Sequence, residues 1–209
     1  MLAVEIAKLL LEKKAVKIEP ENPFTWTSGI RSPIYCDNRA LVSFVDAREK
    51  ILAGFLEVIR ENNLDFEVIA GVATGAIAWG ALVADRLQKP FCYIRPEPRD
   101  HGTGKQVEGF VAKGAKVLVI EDLFSTAGSS VKAIEAIRKE VDAEVVACIA
   151  ISTYEFEKAA QRLSEAKVNW FALTNFSTLV AQLEISETAK TTVLEFAKDP
   201  AGWAAKAGV

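Results

Sequence analysis

The sharpest chemical feature of this chain is a pair of adjacent carboxylates at the end of an apolar run, followed at once by small and hydroxyl-bearing residues. The segment reads Val117-Leu118-Val119-Ile120-Glu121-Asp122-Leu123-Phe124-Ser125-Thr126-Ala127-Gly128-Ser129-Ser130. Residues 117–120 are strictly apolar, the pattern of a central parallel strand. Residues 125–129 can turn successive backbone N–H groups inward and add those of the first turn of a following helix. That arrangement makes a cradle for an anion, most naturally a phosphate monoester, and Ser and Thr hydroxyls supply further donors. Two carboxylates beside such a cradle would repel the phosphate unless something lay between them. A ribose does this: its 2′- and 3′-hydroxyls donate to the acids while its 5′-phosphate sits in the loop. The segment lacks the Gly-Lys-Ser/Thr of a nucleotide-triphosphate loop and the spaced glycines of a dinucleotide fingerprint. Read as architecture alone, the acids would end a strand and Ser129 would cap a helix, which leaves both carboxylates without a task.

Three other segments carry candidate chemistry. Tyr93-Ile94-Arg95-Pro96-Glu97-Pro98-Arg99-Asp100-His101-Gly102-Thr103-Gly104-Lys105-Gln106-Val107-Glu108-Gly109 contains the long stretch 95–109, which has no apolar periodicity. Loops this long in a compact domain are usually functional. It is mildly basic through Arg95, Arg99 and Lys105 and holds the chain's one histidine, His101. Its glycines permit motion and its prolines stiffen the entry, as suits closure over an anionic leaving group with exclusion of water. Ala70-Gly71-Val72-Ala73-Thr74-Gly75-Ala76 follows a strand and precedes a helix, so its small residues serve either an anion-binding turn or close packing. Asn22-Pro23-Phe24-Thr25-Trp26-Thr27-Ser28-Gly29-Ile30-Arg31-Ser32-Pro33-Ile34-Tyr35-Cys36-Asp37-Asn38-Arg39 reads on its own as a hairpin with Ser-Gly and Ser-Pro turns.

The elements that must position these residues follow from periodicity. Residues 2–13 pattern as an amphipathic helix, and 15–18, 24–27 and 34–36 as short extended pieces, which together predict a small helix-plus-hairpin subdomain over 1–43. A helix over 44–61 opens the remainder, 44–209. Strands at 66–71, 91–94, 117–120, 144–151 and 168–173 then alternate with helices at 77–87, 129–140 and 156–164. Such alternation predicts an α/β fold with a parallel central sheet flanked by helices. Residues 176–198 read as one or two covering helices.

Composition narrows the partners. The chain of 209 residues is 50% hydrophobic, enough for a core covered on both faces. Its formal charge of −3 gives no general attraction to nucleic acid or an anionic membrane. No stretch approaches the ~18 uninterrupted apolar residues of a membrane span, and residues 1–14 lack the features of a secretory signal, so a cytoplasmic protein is expected. Cys36, Cys92 and Cys148 read as free buried thiols of a reducing compartment.

The segment 117–130 resembles the binding motif for phosphoribosyl pyrophosphate (PRPP) of type I phosphoribosyltransferases. The segments 22–39 and 93–109 resemble the base-covering hairpin and catalytic loop of the bacterial orotate phosphoribosyltransferases. The resemblance extends from about residue 20 to residue 185. It implies the type I phosphoribosyltransferase fold with an N-terminal hood, and transfer of ribose 5-phosphate from PRPP to orotate in UMP synthesis. It implies PRPP contacts from Thr74, Gly75, Arg95, Arg99, His101, Glu121, Asp122, Leu123, Phe124, Ser125, Thr126, Ala127, Gly128 and Ser129. Orotate contacts are implied for Tyr35, Cys36 and Ser125, with Arg95, Arg99 and His101 as catalytic residues. His101 stands equally as a catalyst or as a phosphate ligand. Mg²⁺ is implied, held mainly by PRPP, and so is a homodimer in which the loop 95–109 reaches the neighbour's site. The sequence departs from the family pattern at Arg99, where lysine is usual, at Phe124, at Ala127, where glycine is common, and at Trp79, where histidine is usual. A purine-type phosphoribosyltransferase and a non-catalytic PRPP-sensing regulator are the alternatives.

Overall fold

A computed structural model describes residues 2–26, 30–98 and 104–207. In chain order the elements are α1 (Leu2–Glu12), β1 (Val16–Ile18), β2 (Phe24–Thr25), β3 (Arg31–Ser32), β4 (Ile34–Cys36), a 3-10 helix (Asn38–Ser43) and α2 (Val45–Glu61). There follow β5 (Val68–Val72), α3 (Ile77–Leu87), β6 (Phe91–Ile94), β7 (Val107–Glu108), β8 (Lys116–Phe124), α4 (Gly128–Val141), β9 (Glu144–Thr153), α5 (Glu157–Glu165), β10 (Asn169–Asn175), α6 (Phe176–Ala181), α7 (Glu187–Lys198) and α8 (Trp203–Ala207).

The central sheet has the order β10-β9-β8-β5-β6-β7 and is parallel except for β7, which runs antiparallel to β6. Its apolar strands are buried on both faces; Val117, Leu118, Val119 and Ile120 are all inaccessible. The chain steps from β5 outward to β6, then returns to β8 on the other side of β5 and continues outward the opposite way. Right-handed crossovers taken in opposite directions put α3 and α4 on opposite faces. The reversal also opens a crevice where the carboxyl ends of β5 and β8 part, the place where open α/β sheets bind ligands. The loops 73–76 and 125–127 leave the sheet there.

Several elements differ from expectation. The strand expected to stop at Ile120 runs on through both carboxylates to Phe124. Its neighbour β9 continues alongside to Thr153, pairing Glu121 with Ala150 and Phe124 with Thr153. The stretch 95–109 is not wholly irregular, because β7 pairs Ile94 with Val107 and Tyr93 with Glu108. A 3-10 helix precedes α2, and α8 follows the two helices found over 176–198.

The hood is built from β1 paired antiparallel with β4 and β2 paired with β3. It is fastened to the C-terminal helices by aromatic packing. Trp26 stacks on Tyr154 at 5.4 Å and meets Phe196 of α7 edge-on at 5.7 Å, while Phe196 meets Trp203 of α8 at 5.8 Å. The indole N–H groups of Trp26 and Trp203 donate to Ile34 O and Thr192 O. Trp79 of α3 lies in the core, fully buried, and its Nε1 has no acceptor among the described residues; nothing in the structure explains the indole at this position.

Helix α3 sits directly on β5 through two glycines. A Cβ on Gly80 would stand 3.1 Å from Gly71 Cα, and a Cβ on Gly71 would stand 2.7 Å from Ala76 O. Both neighbours are backbone and cannot swing aside. Gly71→Ala is therefore expected to destabilise the protein by roughly 1–3 kcal/mol, the usual cost of overpacking a core, read as a lowered midpoint in urea denaturation.

Candidate functional site

The site is organised around a buried acid. Glu121 is 3% exposed, and a buried carboxylate needs hydrogen-bond donors. It receives Asp122 N–H at 3.0 Å on one oxygen, and the hydroxyls of Ser129 at 3.2 Å and Ser130 at 2.9 Å on the other. The tip of β8 is thus tied to the first turn of α4. Burial pushes the Glu121 carboxyl well above the usual range, and the neighbouring Asp122 charge pushes it further. Burial also raises Asp122, against its bond with Glu121 and the attraction of Arg39.

Asp122 turns its carboxylate toward the loop after β5. A Cβ on Gly75 would overlap Asp122 Oδ2, so the bare glycine lets the loop after β5 approach the end of β8 with the Asp122 carboxylate in this position. Thr74 beside it is exposed, and the Ala73–Thr74 peptide is cis. Asn38 of the hood supports the pair from the other side, donating to Asp122 O at 2.7 Å and to Ser152 Oγ at 3.1 Å.

Beyond Phe124 the chain crosses to α4 in three residues. Among the described residues, the backbone N–H groups of Ser125, Thr126 and Ala127 have no acceptor within the protein. Helix α4 starts with no side-chain cap, its N-terminus facing the same space. Ala127 lies in the left-handed region at φ 54°, a conformation that costs a residue bearing a Cβ about 1–2 kcal/mol. Arg162 of α5 donates to Thr126 O from behind at 3.0 Å. Phe124, the last residue of β8, turns away from the turn and packs edge-on against Trp170 at 5.9 Å.

Two cavities flank this turn. One of about 320 Å³ is lined by Val72, Ala73, Ile94, Arg95, Pro96, Gly128, Ser129, Lys132 and Ala133. It joins the ends of β5 and β6 to the start of α4. The other, also about 320 Å³, is lined by Thr25, Trp26, Tyr35, Cys36, Leu123, Ser125 and Tyr154. Its walls are largely apolar and aromatic, a setting for a flat conjugated ring. Cys36 donates to Asn38 Oδ1 at 3.3 Å, and burial pushes its thiol up to about 12, so it presents a thiol rather than a nucleophilic thiolate. A larger polar depression of about 570 Å³ lies near the opposite ends of the strands, around Asn62, Glu144 and Lys167, away from the crevice.

The stretch 95–109 is anchored at both roots. Gln106 donates its side-chain amide to Arg95 O at 3.0 Å and Pro96 O at 3.2 Å. Glu140 of α4 accepts the backbone N–H groups of Gln106 and Val107 at 3.0 and 3.1 Å. Lys132 pairs with Glu97 at 3.2 Å, and Arg95 with Glu108 at 3.6 Å. Arg99 and His101 lie outside the described residues.

Comparison with known proteins bears directly on this arrangement. A family model for the phosphoribosyl transferase domain matches residues 43–180. The chain is 46% identical over 206 residues to an orotate phosphoribosyltransferase of Streptococcus pyogenes serotype M3, covering 97% of this chain and 98% of that one. The chain belongs to the orotate phosphoribosyltransferase family. Among solved structures, the orotate phosphoribosyltransferase of Aeropyrum pernix is similar with a TM-score of 0.75 and 33% identity, over 85% of this chain and 97% of that one. The Mycobacterium tuberculosis enzyme solved with PRPP shares the fold at a TM-score of 0.67 and 22% identity, over 86% and 99% of the two chains.

For a member of this family, the structure gathers most of the residues singled out from the sequence. Asp122 meets Gly75, Glu121 meets Ser129, Arg95, Gly128 and Ser129 line one cavity, and Tyr35, Cys36 and Ser125 line the other. Reasoning from sequence missed Lys132, Tyr154 and Arg162, whose contacts cross long separations. Trp26 and Asn38 stood in a quoted motif without a role.

The raised carboxyl of Glu121 sets a pH dependence. Because Glu121 keeps its proton to higher pH in the folded state than in the unfolded chain, its contribution to stability is present at acid pH. It is lost as pH rises from the ordinary glutamate range, about 4.3, through the raised folded value. Relative to Glu121→Gln, the wild-type protein should lose stability as pH climbs above the ordinary glutamate range, as measured by urea denaturation of both proteins at each pH.

Proposed function

We propose that this chain transfers ribose 5-phosphate from PRPP to N1 of orotate, releasing pyrophosphate and forming orotidine 5′-monophosphate. One observation carries the reading. An anion-binding turn with unengaged N–H groups separates an aromatic cavity from a crevice holding Arg95, with Glu121 bonded to Ser129 behind the turn and the Asp122 carboxylate set against Gly75. The base, the 5′-phosphate and the departing pyrophosphate need those three environments, with the ribose bridging them.

In this reading the N–H groups of residues 125–129 hold the 5′-phosphate, with Leu123 and Phe124 contributing backbone at the approach. Glu121 and Asp122 orient the ribose hydroxyls. Tyr35, Cys36 and Ser125 receive orotate beneath the hood. Thr74 and Gly75 meet the pyrophosphate, and Arg95, Arg99 and His101 stabilise charge gathering on it as the bond to C1 breaks. C1 develops oxocarbenium character and inverts as N1 attacks, so no protein nucleophile takes part. Mg²⁺ suits the hard oxygen of Asp122 at the crevice, with most ligands coming from PRPP and water; when bound it neutralises the leaving group. The proposal includes a hood over 1–43 and a catalytic unit over 44–209, consistent with a family match that opens at residue 43. It includes a cytoplasmic homodimer in which the loop 95–109 closes on the neighbouring site; Phe110, 83% exposed beside that loop, supports such a contact. Among the described residues no helix is long and apolar enough to cross a membrane.

Purified protein mixed with orotate, PRPP and Mg²⁺ should deplete orotate, followed by its ultraviolet absorbance, and should leave adenine and hypoxanthine unconsumed. Chelation of Mg²⁺ should stop the reaction; turnover of a purine instead would overturn the base assignment. Arg99 supplies fixed positive charge and cannot pass a proton. Arg99→Lys is therefore expected to leave kcat within about threefold, a barrier change of under about 0.7 kcal/mol, and a large gain would mean that lysine chemistry is wanted at this position.

A further inference from the structure

The turn after β8 has a conformational difficulty that a cation on another helix offsets. Ala127 is buried at φ 54°, ψ 18°, where an L residue with a Cβ is disfavoured and glycine is not. No side chain caps α4 to hold the chain in that state. The Thr126–Ala127 peptide is trans, so its C=O and N–H point in opposite directions. Arg162 Nη1 donates to Thr126 O at 3.0 Å. That bond draws the carbonyl toward α5 and turns the Ala127 N–H the other way. Rotation of the peptide into an ordinary conformation would swing the carbonyl away from Arg162 and withdraw the N–H from the cradle. The guanidinium also lies along the back of the turn, 3.3 Å from where a Cβ on Gly128 would stand. A charged donor to a carbonyl makes one of the stronger hydrogen bonds available.

We propose that Arg162 is a positioning residue for PRPP binding: by holding the Thr126 carbonyl it keeps Ala127 left-handed and its N–H aimed at the 5′-phosphate. The inference rests on the reading that this turn takes the phosphate. It differs from a simple field effect of a nearby cation, because it makes the need for Arg162 depend on which residue stands at 127.

The test is a double-mutant cycle on the full chain: wild type, Arg162→Ala, Ala127→Gly and the pair, with PRPP varied at saturating orotate and PRPP binding followed by calorimetry. In the wild-type background Arg162→Ala should raise KM for PRPP about tenfold with kcat within about twofold, the size expected for losing a charge-assisted hydrogen bond. In the Ala127→Gly background the same change should cost less than about threefold. Arg162→Lys should recover part of the loss, because it keeps the charge without the planar fork. If Arg162→Ala does not fold, Arg162→Gln takes its place in the cycle. An unchanged KM, a fall in kcat alone, or equal losses in both backgrounds would overturn the role given to Arg162 while leaving the phosphate reading intact. Failure of the wild-type protein to bind PRPP would overturn both.

Discussion

A carboxylate taken out of water must find donors, and in this protein the donors chosen for Glu121 decide the shape of everything around it. Its three hydrogen bonds come from the next residue on β8 and from two serines opening α4. Strand tip and helix start are thereby fixed together, with only residues 125–127 to span the gap. A turn so short must bend sharply, which accounts for the left-handed residue within it. Asp122 extends the same logic to a second loop, because its carboxylate occupies the space that a side chain at position 75 would take. One acid therefore organises its own connection and the other organises the neighbouring one.

The aromatic cavity depends on a different force. Its floor comes from β8 and the start of the turn, its roof from the hood, and its back wall from Tyr154 just beyond β9. These segments are distant in sequence and are held by apolar burial among Trp26, Tyr154, Phe156, Phe176 and Phe196. The C-terminal helices, which carry no candidate chemistry, matter because they complete that cluster.

Much of this was readable beforehand. A sheet covered on both faces produces uninterrupted apolar strands, and β5, β6, β8 and β9 announced themselves in that way. The turn after β8 and its acids stood out because few packing arguments call for two carboxylates there. What escaped notice did so for physical reasons. Carboxylates normally end a strand, and only pairing with β9 carries β8 past them. The two-residue strand β7 is too short to show periodicity. Asn38 reaches Asp122 across 84 positions and Arg162 reaches Thr126 across 36, separations at which local pattern holds no information. The left-handed state of Ala127 has no local signature, since alanine does not announce such a backbone.

The anchoring of the segment that follows β6 has an evolutionary consequence. With Gln106 joining the carbonyls of residues 95 and 96 to the return strand and Glu140 holding that strand to α4, each of these fastenings lies outside positions 98–105. An exchange of lysine for arginine at position 99 therefore removes none of the bonds that tie the segment to the sheet and to α4.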